Sequence, residues 1–215
     1  MADDILTGLS SAPVVPLVQS DDPKEAIEIA QALLDGGIKV LEVVLRTERG
    51  MDCLEAVAQE FSDSWVGAGT VLSKEQGLEV IKRGADFIVS PGLNEDLVAC
   101  AQSQSIPILP GIATASELQS AWNMGLRTVK FFPSSLAGGV KMITALSSVF
   151  RDVRFMPTGG VNVDNLAEHL AVPSVIACGG SWLTPSTAIK AGDYAAITKL
   201  AEEAIAITKK TKGNL

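Results

Sequence analysis

The chain has 215 residues, 47% of them hydrophobic and 20% charged, with 17 Lys+Arg against 25 Asp+Glu and a formal net charge of -8. That length, with a mean hydropathy of +0.29, suits one sizeable core and excludes a disordered chain. The acidic balance excludes a bulk basic footprint for nucleic acid or for an anionic membrane surface, while leaving room for a local phosphate pocket.

Short apolar runs alternate with longer amphipathic stretches along the whole chain. A strand over 14–18 precedes a helix over 22–34, opened by Asp22-Pro23 and closed by Gly36-Gly37. A strand over 40–45 precedes a helix over 50–61. The next pair is a strand over 65–70 and a helix over 74–82, with Ser73 three residues before Gln76 in a capping-box pattern. Strands over 87–90 and 106–109 lead to helices over 94–104 and 114–123, and Thr114 stands three residues before Glu117. A strand over 128–132, a helix over 139–150, a strand over 154–156, a helix over 163–169 and a strand over 175–177 follow. A long helix over 193–209 ends the series, and Lys209-Lys210-Thr211-Lys212-Gly213 reads as a solvated terminus.

Eight strand–helix units of about 27 residues each predict an α/β chain folded as a compact (β/α)8 TIM barrel, one domain over 1–215. An open doubly wound sheet shares the alternation. The count of eight, the uniformly short strands and their Gly- or Pro-containing ends favour the barrel. No G-x-G-x-x-G fingerprint follows the first strand. The start of the chain is acidic and no apolar run reaches the ~18 residues of a spanning helix. Cys53, Cys100 and Cys178 are scattered, with no CxxC spacing. Together these point to a cytoplasmic chain with free thiols and no membrane association. His169 is the one histidine. It cannot build an imidazole metal site or a His triad unaided, and its segment suits a surface or helix-end place.

Two charges break the strand pattern. In Val40-Leu41-Glu42-Val43-Val44-Leu45-Arg46-Thr47, period two puts Glu42, Val44 and Arg46 on one face, with Arg46 at the C-terminal rim. An internal Glu42–Arg46 ion pair, or an outward-facing Glu42 touching helix residues, is the alternative to a catalytic carboxylate. Lys130 sits in Thr128-Val129-Lys130-Phe131-Phe132-Pro133, with Phe132 on its own face. Burying an ammonium is costly, and an amine freed of that charge can attack a ketone to form an imine. A lysine leaning outward to water is the alternative. Gly159-Gly160 and Gly179-Gly180-Ser181 follow the predicted seventh and eighth strands, where barrels often hold phosphate on bare backbone N–H groups. Turn geometry alone would also account for such glycines.

Taken in order, these segments resemble the bacterial 2-keto-3-deoxy-6-phosphogluconate (KDPG) aldolases, many of which also act on 4-hydroxy-2-oxoglutarate (KHG). The matching stretches are Pro13-Val14-Val15-Pro16, Leu41-Glu42-Val43, Leu45-Arg46-Thr47-Glu48 and Val66-Gly67-Ala68-Gly69-Thr70-Val71-Leu72. Ser90-Pro91-Gly92, Ile108-Leu109-Pro110-Gly111, Lys130-Phe131-Phe132-Pro133, Pro157-Thr158-Gly159-Gly160 and Gly179-Gly180-Ser181-Trp182-Leu183 complete them. The resemblance implies a trimeric class I aldolase on a TIM barrel, without metal or organic cofactor, acting on a phosphorylated 2-keto acid. It implies that Lys130 forms the imine and Glu42 is the general acid/base. Arg46 and Thr70 would hold the pyruvyl carboxylate, with Pro91 and Phe132 lining the pocket. Thr158, Gly159, Gly160, Gly180 and Ser181 would form the phosphate end. The chain departs from the family at Ser134-Ser135, where many members have Ala-Glu. That change touches the aldehyde end and leaves the imine chemistry alone.

Three alternatives accompany this reading. A family member could prefer KHG or the galactonate epimer with the same imine machinery. A barrel phosphosugar isomerase or epimerase would use Glu42 as the proton-transfer base and Lys130 as its electrostatic partner. A metabolite-binding barrel without activity would need none of Lys130, Glu42 and Arg46, and all three are present.

Overall fold

The computed structural model describes residues 8–9 and 13–213. Strands β1 (Val14–Val18), β2 (Val40–Val44), β3 (Trp65–Gly69), β4 (Phe87–Val89) and β5 (Ile108–Leu109) pair in parallel and in chain order. β9 (Cys178–Gly180) lies on the far side of β1, in register Val14–Cys178, Val15–Gly179 and Pro16–Gly180. β6 (Gly111–Ile112), β7 (Thr128–Phe131) and β8 (Arg154–Pro157) form a second parallel sheet.

The two sheets join into a ring at two places. Pro110 has no N–H to offer a ladder and separates β5 from β6, while its carbonyl accepts from Lys130 N at 2.9 Å. At the other junction, bridges Phe155–Val175 and Thr158–Gly179 tie β8 to the run that ends in β9. With β5 and β6 as halves of one strand, the ring is the TIM barrel that the alternation predicts.

Helices α1 (Pro23–Asp35), α2 (Gly50–Glu60), α3 (Lys74–Lys82), α4 (Glu95–Ser103), α5 (Ala115–Asn123) and α6 (Gly139–Val149) alternate with the strands. α7 (Leu166–Leu170), α8 (Ser186–Ala191) and α9 (Tyr194–Lys212) complete the order. Side-chain oxygens of Asp22, Ser73, Asn94 and Thr114 accept N–H groups of the first turns of α1, α3, α4 and α5, which otherwise lack intrahelical partners. Thr114 and Glu117 form the full reciprocal box. Ser73 and Gln76 form half of one, because the Gln76 carbonyl reaches past Ser73 to Leu72 N at 2.7 Å.

Both faces of the strands are covered, so β1 and β2 are buried at every residue. Val15, Val40, Phe87, Val89, Leu109 and Met156 pack together as an inner cluster, while Val14, Val18, Leu41, Val43, Val129 and Phe131 pack against helices. Phe87 fits because β3 carries Gly67 beside it; a Cβ there would strike the ring.

Several expectations are corrected. The last strand is Cys178–Gly180 rather than 175–177, because Ile176 N turns to Phe155 O while Cys178 N bonds Pro13 O. Gly179 and Gly180 are therefore strand residues rather than a loop after the eighth strand, whereas Gly67 and Gly69 fall in β3 within the predicted strand over 65–70. The helix over 163–169 shortens to α7, and α8 was not foreseen. The basic tail is solvated only in part: Lys209, Lys210 and Gly213 are exposed, but α9 runs through Lys212, whose Nζ donates to Val175 O at 2.6 Å. His169 is in the last turn of α7 but is buried, with Nδ1 3.0 Å from Asn165 O. The three cysteines are free and buried. Burial pushes the Cys53 thiol up to about 11, which leaves little thiolate for chemistry. Among the described residues no helix is long and apolar enough to cross a membrane.

Candidate active site

Glu42 and Lys130 both point into the barrel. Glu42 is the middle residue of β2 and falls on the Val40 face, in register with Leu17 and Gly67. Lys130 lies on β7 in register with Gly111 and Met156. Neither leans out to water, Lys130 being 2% exposed and Glu42 0%. Lys130 Nζ donates to Glu42 Oε1 at 3.4 Å, and Glu42 Oε2 has no hydrogen-bond partner. The internal Glu42–Arg46 pair does not form; the carboxylate's ion-pair partner is the lysine.

A buried ion pair is weak evidence for stability, since desolvating both charges offsets most of their attraction. Here one carboxylate oxygen is left unpaired as well, which adds a further cost. The arrangement makes sense as an amine nucleophile with a proton acceptor in reach. Gly69 makes room for it: a Cβ at that position would overlap the Glu42 carboxylate. Gly69 is a supporting residue that the sequence places at a strand end with no role beside Glu42. Its spacing of two from Gly67 on a strand beside Glu42 was the available signal.

At the rim above β2 and β3, Arg46 is exposed and its Nε donates to Thr70 Oγ1 at 3.1 Å. Thr70 holds φ at +63°, a left-handed conformation that costs a β-branched residue about 1–3 kcal/mol. That backbone is kept where its hydroxyl meets the guanidinium. Pro91 follows β4, and its carbonyl lies against Gly111, where a Cβ would collide with it.

Phe132 links the lysine to the glycine loop. Lys130 Nζ stands 5.3 Å from the Phe132 ring centroid, and the same ring lies 3.4 Å from where a Gly159 Cβ would be. Gly159 and Gly160 have φ of +91° and +86°, values that favour glycine. Thr158 Oγ1 is buried without a partner beside Gly179. Gly180 is buried against the Trp182 ring, whereas Gly160 and Ser181 are exposed at the rim. So Gly160 and Ser181 face solvent while Gly180 lies within β9. A Gly160 Cβ would meet Ser135 before any other group. Among the described residues no group of three or more His, Cys, Asp or Glu is placed to hold a metal ion.

Comparison with known proteins settles the kinship. The family model for KDPG and KHG aldolase matches residues 5–200. The chain belongs to the KDPG and KHG aldolase family. It is 48% identical over 204 residues to the KHG/KDPG aldolase of Escherichia coli K12, covering 95% of this chain and 94% of that protein. It is 46% identical over 205 residues to the 2-dehydro-3-deoxy-phosphogluconate aldolase of Dickeya dadantii, covering 95% of each. Among solved structures, a KDPG aldolase from Legionella pneumophila superposes with a TM-score of 0.90 at 41% identity, over 93% of this chain and 97% of that one. In that crystal, pyruvate is captured as a covalent carbinolamine. The Zymomonas mobilis ZM4 enzyme, crystallised with 3-phosphoglycerate, gives 0.89 at 40% identity, over 96% and 97%.

Proposed function

We propose that this member of the family is a class I aldolase that cleaves KDPG to pyruvate and glyceraldehyde 3-phosphate, and KHG to pyruvate and glyoxylate. The observation that carries the reading is the buried Lys130 Nζ at 3.4 Å from Glu42 Oε1, with Glu42 Oε2 unpartnered. Family relatives that bear the KDPG or KHG aldolase name, and the carbinolamine of the Legionella enzyme, support it.

Lys130 delivers its proton to Glu42 and attacks C2 of the keto acid, giving a carbinolamine. Glu42 returns a proton to the departing hydroxyl, water leaves, and a protonated imine forms. The imine nitrogen withdraws electrons, so once the C4 hydroxyl gives its proton to the Glu42 carboxylate the C3–C4 bond breaks. Glyceraldehyde 3-phosphate departs and an enamine remains on Lys130. Protonation at C3 and hydrolysis release pyruvate and restore the amine. Positioned proton transfer of this kind contributes about 10²–10⁴-fold.

Arg46 and Thr70 hold the pyruvyl carboxylate, the guanidinium as a charge-assisted donor. Pro91 and Phe132 line the path. Thr158, Gly159, Gly160, Gly180 and Ser181 form the phosphate end, with backbone N–H groups as the main donors because no Lys or Arg adjoins either glycine pair. By the same kinship we read the protein as a cytoplasmic homotrimer, residues 1–215 of each chain forming one barrel domain.

The test is a kinetic comparison of KDPG, its C4 epimer and KHG. KDPG is expected to give the highest kcat/KM. A higher value for the epimer or for KHG would reassign the principal substrate.

A further inference from the structure

The loops that follow β7 and β8 run side by side. Ser134 N donates to Thr158 O at 2.8 Å, and Ser135 N donates to Gly159 O at 3.0 Å. Ala137 N closes back on Pro133 O and Gly139 N on Ser134 O, so residues 133–139 form a pinned turn. The turn sets the Ser135 side chain over Gly160, with its Cβ and Oγ where a Gly160 Cβ would be. Both residues are exposed at the rim, and among the described residues nothing bonds the Ser135 hydroxyl.

We propose that Ser135 is a specificity-determining ligand, its hydroxyl donating to the substrate phosphate seated over the Gly159–Gly160 peptide. The inference rests on the assignment of the phosphate to these glycine loops. No Lys or Arg adjoins them in sequence, and the donors these loops themselves carry are neutral backbone N–H groups and hydroxyls. Ser135 offers one on a backbone held by two cross-loop hydrogen bonds, which makes it preorganised. Its absence would be felt by a phosphorylated substrate and not by one that ends in a small aldehyde.

The experiment measures kcat/KM for KDPG and for KHG in Ser135→Ala, Ser135→Thr and Ser181→Ala, together with inhibition by inorganic phosphate. In Ser135→Ala the KDPG-to-KHG ratio is expected to fall about tenfold, through KM for KDPG, with weaker phosphate inhibition. Ser135→Thr keeps the hydroxyl and should restore most of the ratio. A ratio unmoved in Ser135→Ala but lowered in Ser181→Ala would overturn the role of Ser135 and leave the glycine cradle standing. A ratio unmoved in both would likewise overturn the role of Ser135, while the backbone N–H cradle, which neither variant alters, is overturned if inorganic phosphate fails to inhibit the unaltered protein.

Discussion

Lys130 Nζ and Glu42 Oε1 meet at 3.4 Å inside the barrel although 88 residues separate them in the chain. The two side chains come from β7 and β2, across the ring from one another. The close approach depends on β3 presenting hydrogen rather than a side chain at Gly69. A polar pair inside a barrel whose inner cluster includes Val40, Phe87, Leu109 and Met156 stabilises the fold little, and its chemistry is the reason for its place.

Glu42→Gln separates the catalytic from the structural role. The amide keeps the volume and one acceptor oxygen but cannot take a proton. Turnover is expected to fall by about two to four orders of magnitude, with the far-UV spectrum and thermal midpoint little changed. Wild-type kcat with a large loss of thermal stability would make Glu42 a structural partner of Lys130 only.

Glu42 and Lys130 were legible because a charge in an apolar strand is expensive, and period two grouped Glu42 with Arg46 and Lys130 with Phe132; that both faces turn inward comes from closure of the ring. Thr114 and Glu117 were legible as a cap for the same local reason. The last strand was not. Cys178-Gly179-Gly180 has poor strand propensity, and its pairing with Val14–Pro16 comes from closure of the ring. Lys212 was misread because its acceptors, Val175 O and Ile176 O, lie 37 and 36 residues back in the chain. Ser135 stood out in the sequence only as a departure from the family; its place over Gly160 appears only when two loops are side by side.

Lys212 should contribute to stability. Its Nζ donates to Val175 O at 2.6 Å and holds the end of α9 beneath the run leading to β9. Lys212→Met keeps the stem and removes the donor. The expected loss is about 1 kcal/mol, a typical net hydrogen bond, seen as a lower midpoint in denaturant with kcat unchanged. An unchanged midpoint would return this lysine to the solvated tail.

Asp86 supplies a pH signature. Burial raises its carboxyl above the ordinary value of 3.8, opposed by the hydrogen bond it accepts from Val66 N at 2.8 Å. With the folded value above the unfolded one, the stability linked to this group is complete below 3.8 and is lost as pH rises through the folded value. Asp86→Asn keeps an acceptor for Val66 N and carries no charge. It is expected to raise the thermal midpoint at pH 7, with the gain shrinking as pH falls toward 4. A gain that grows on acidification, or a loss at pH 7, would reverse the sign of the burial effect.

The most direct test is reductive trapping. The protein is incubated with pyruvate and borohydride, digested, and mapped by mass spectrometry. The expected result is a single three-carbon adduct on Lys130, at one per chain, and none in Lys130→Met. An adduct on Lys39 or Lys141, or no adduct from an enzyme that still cleaves KDPG, would contradict imine formation at Lys130.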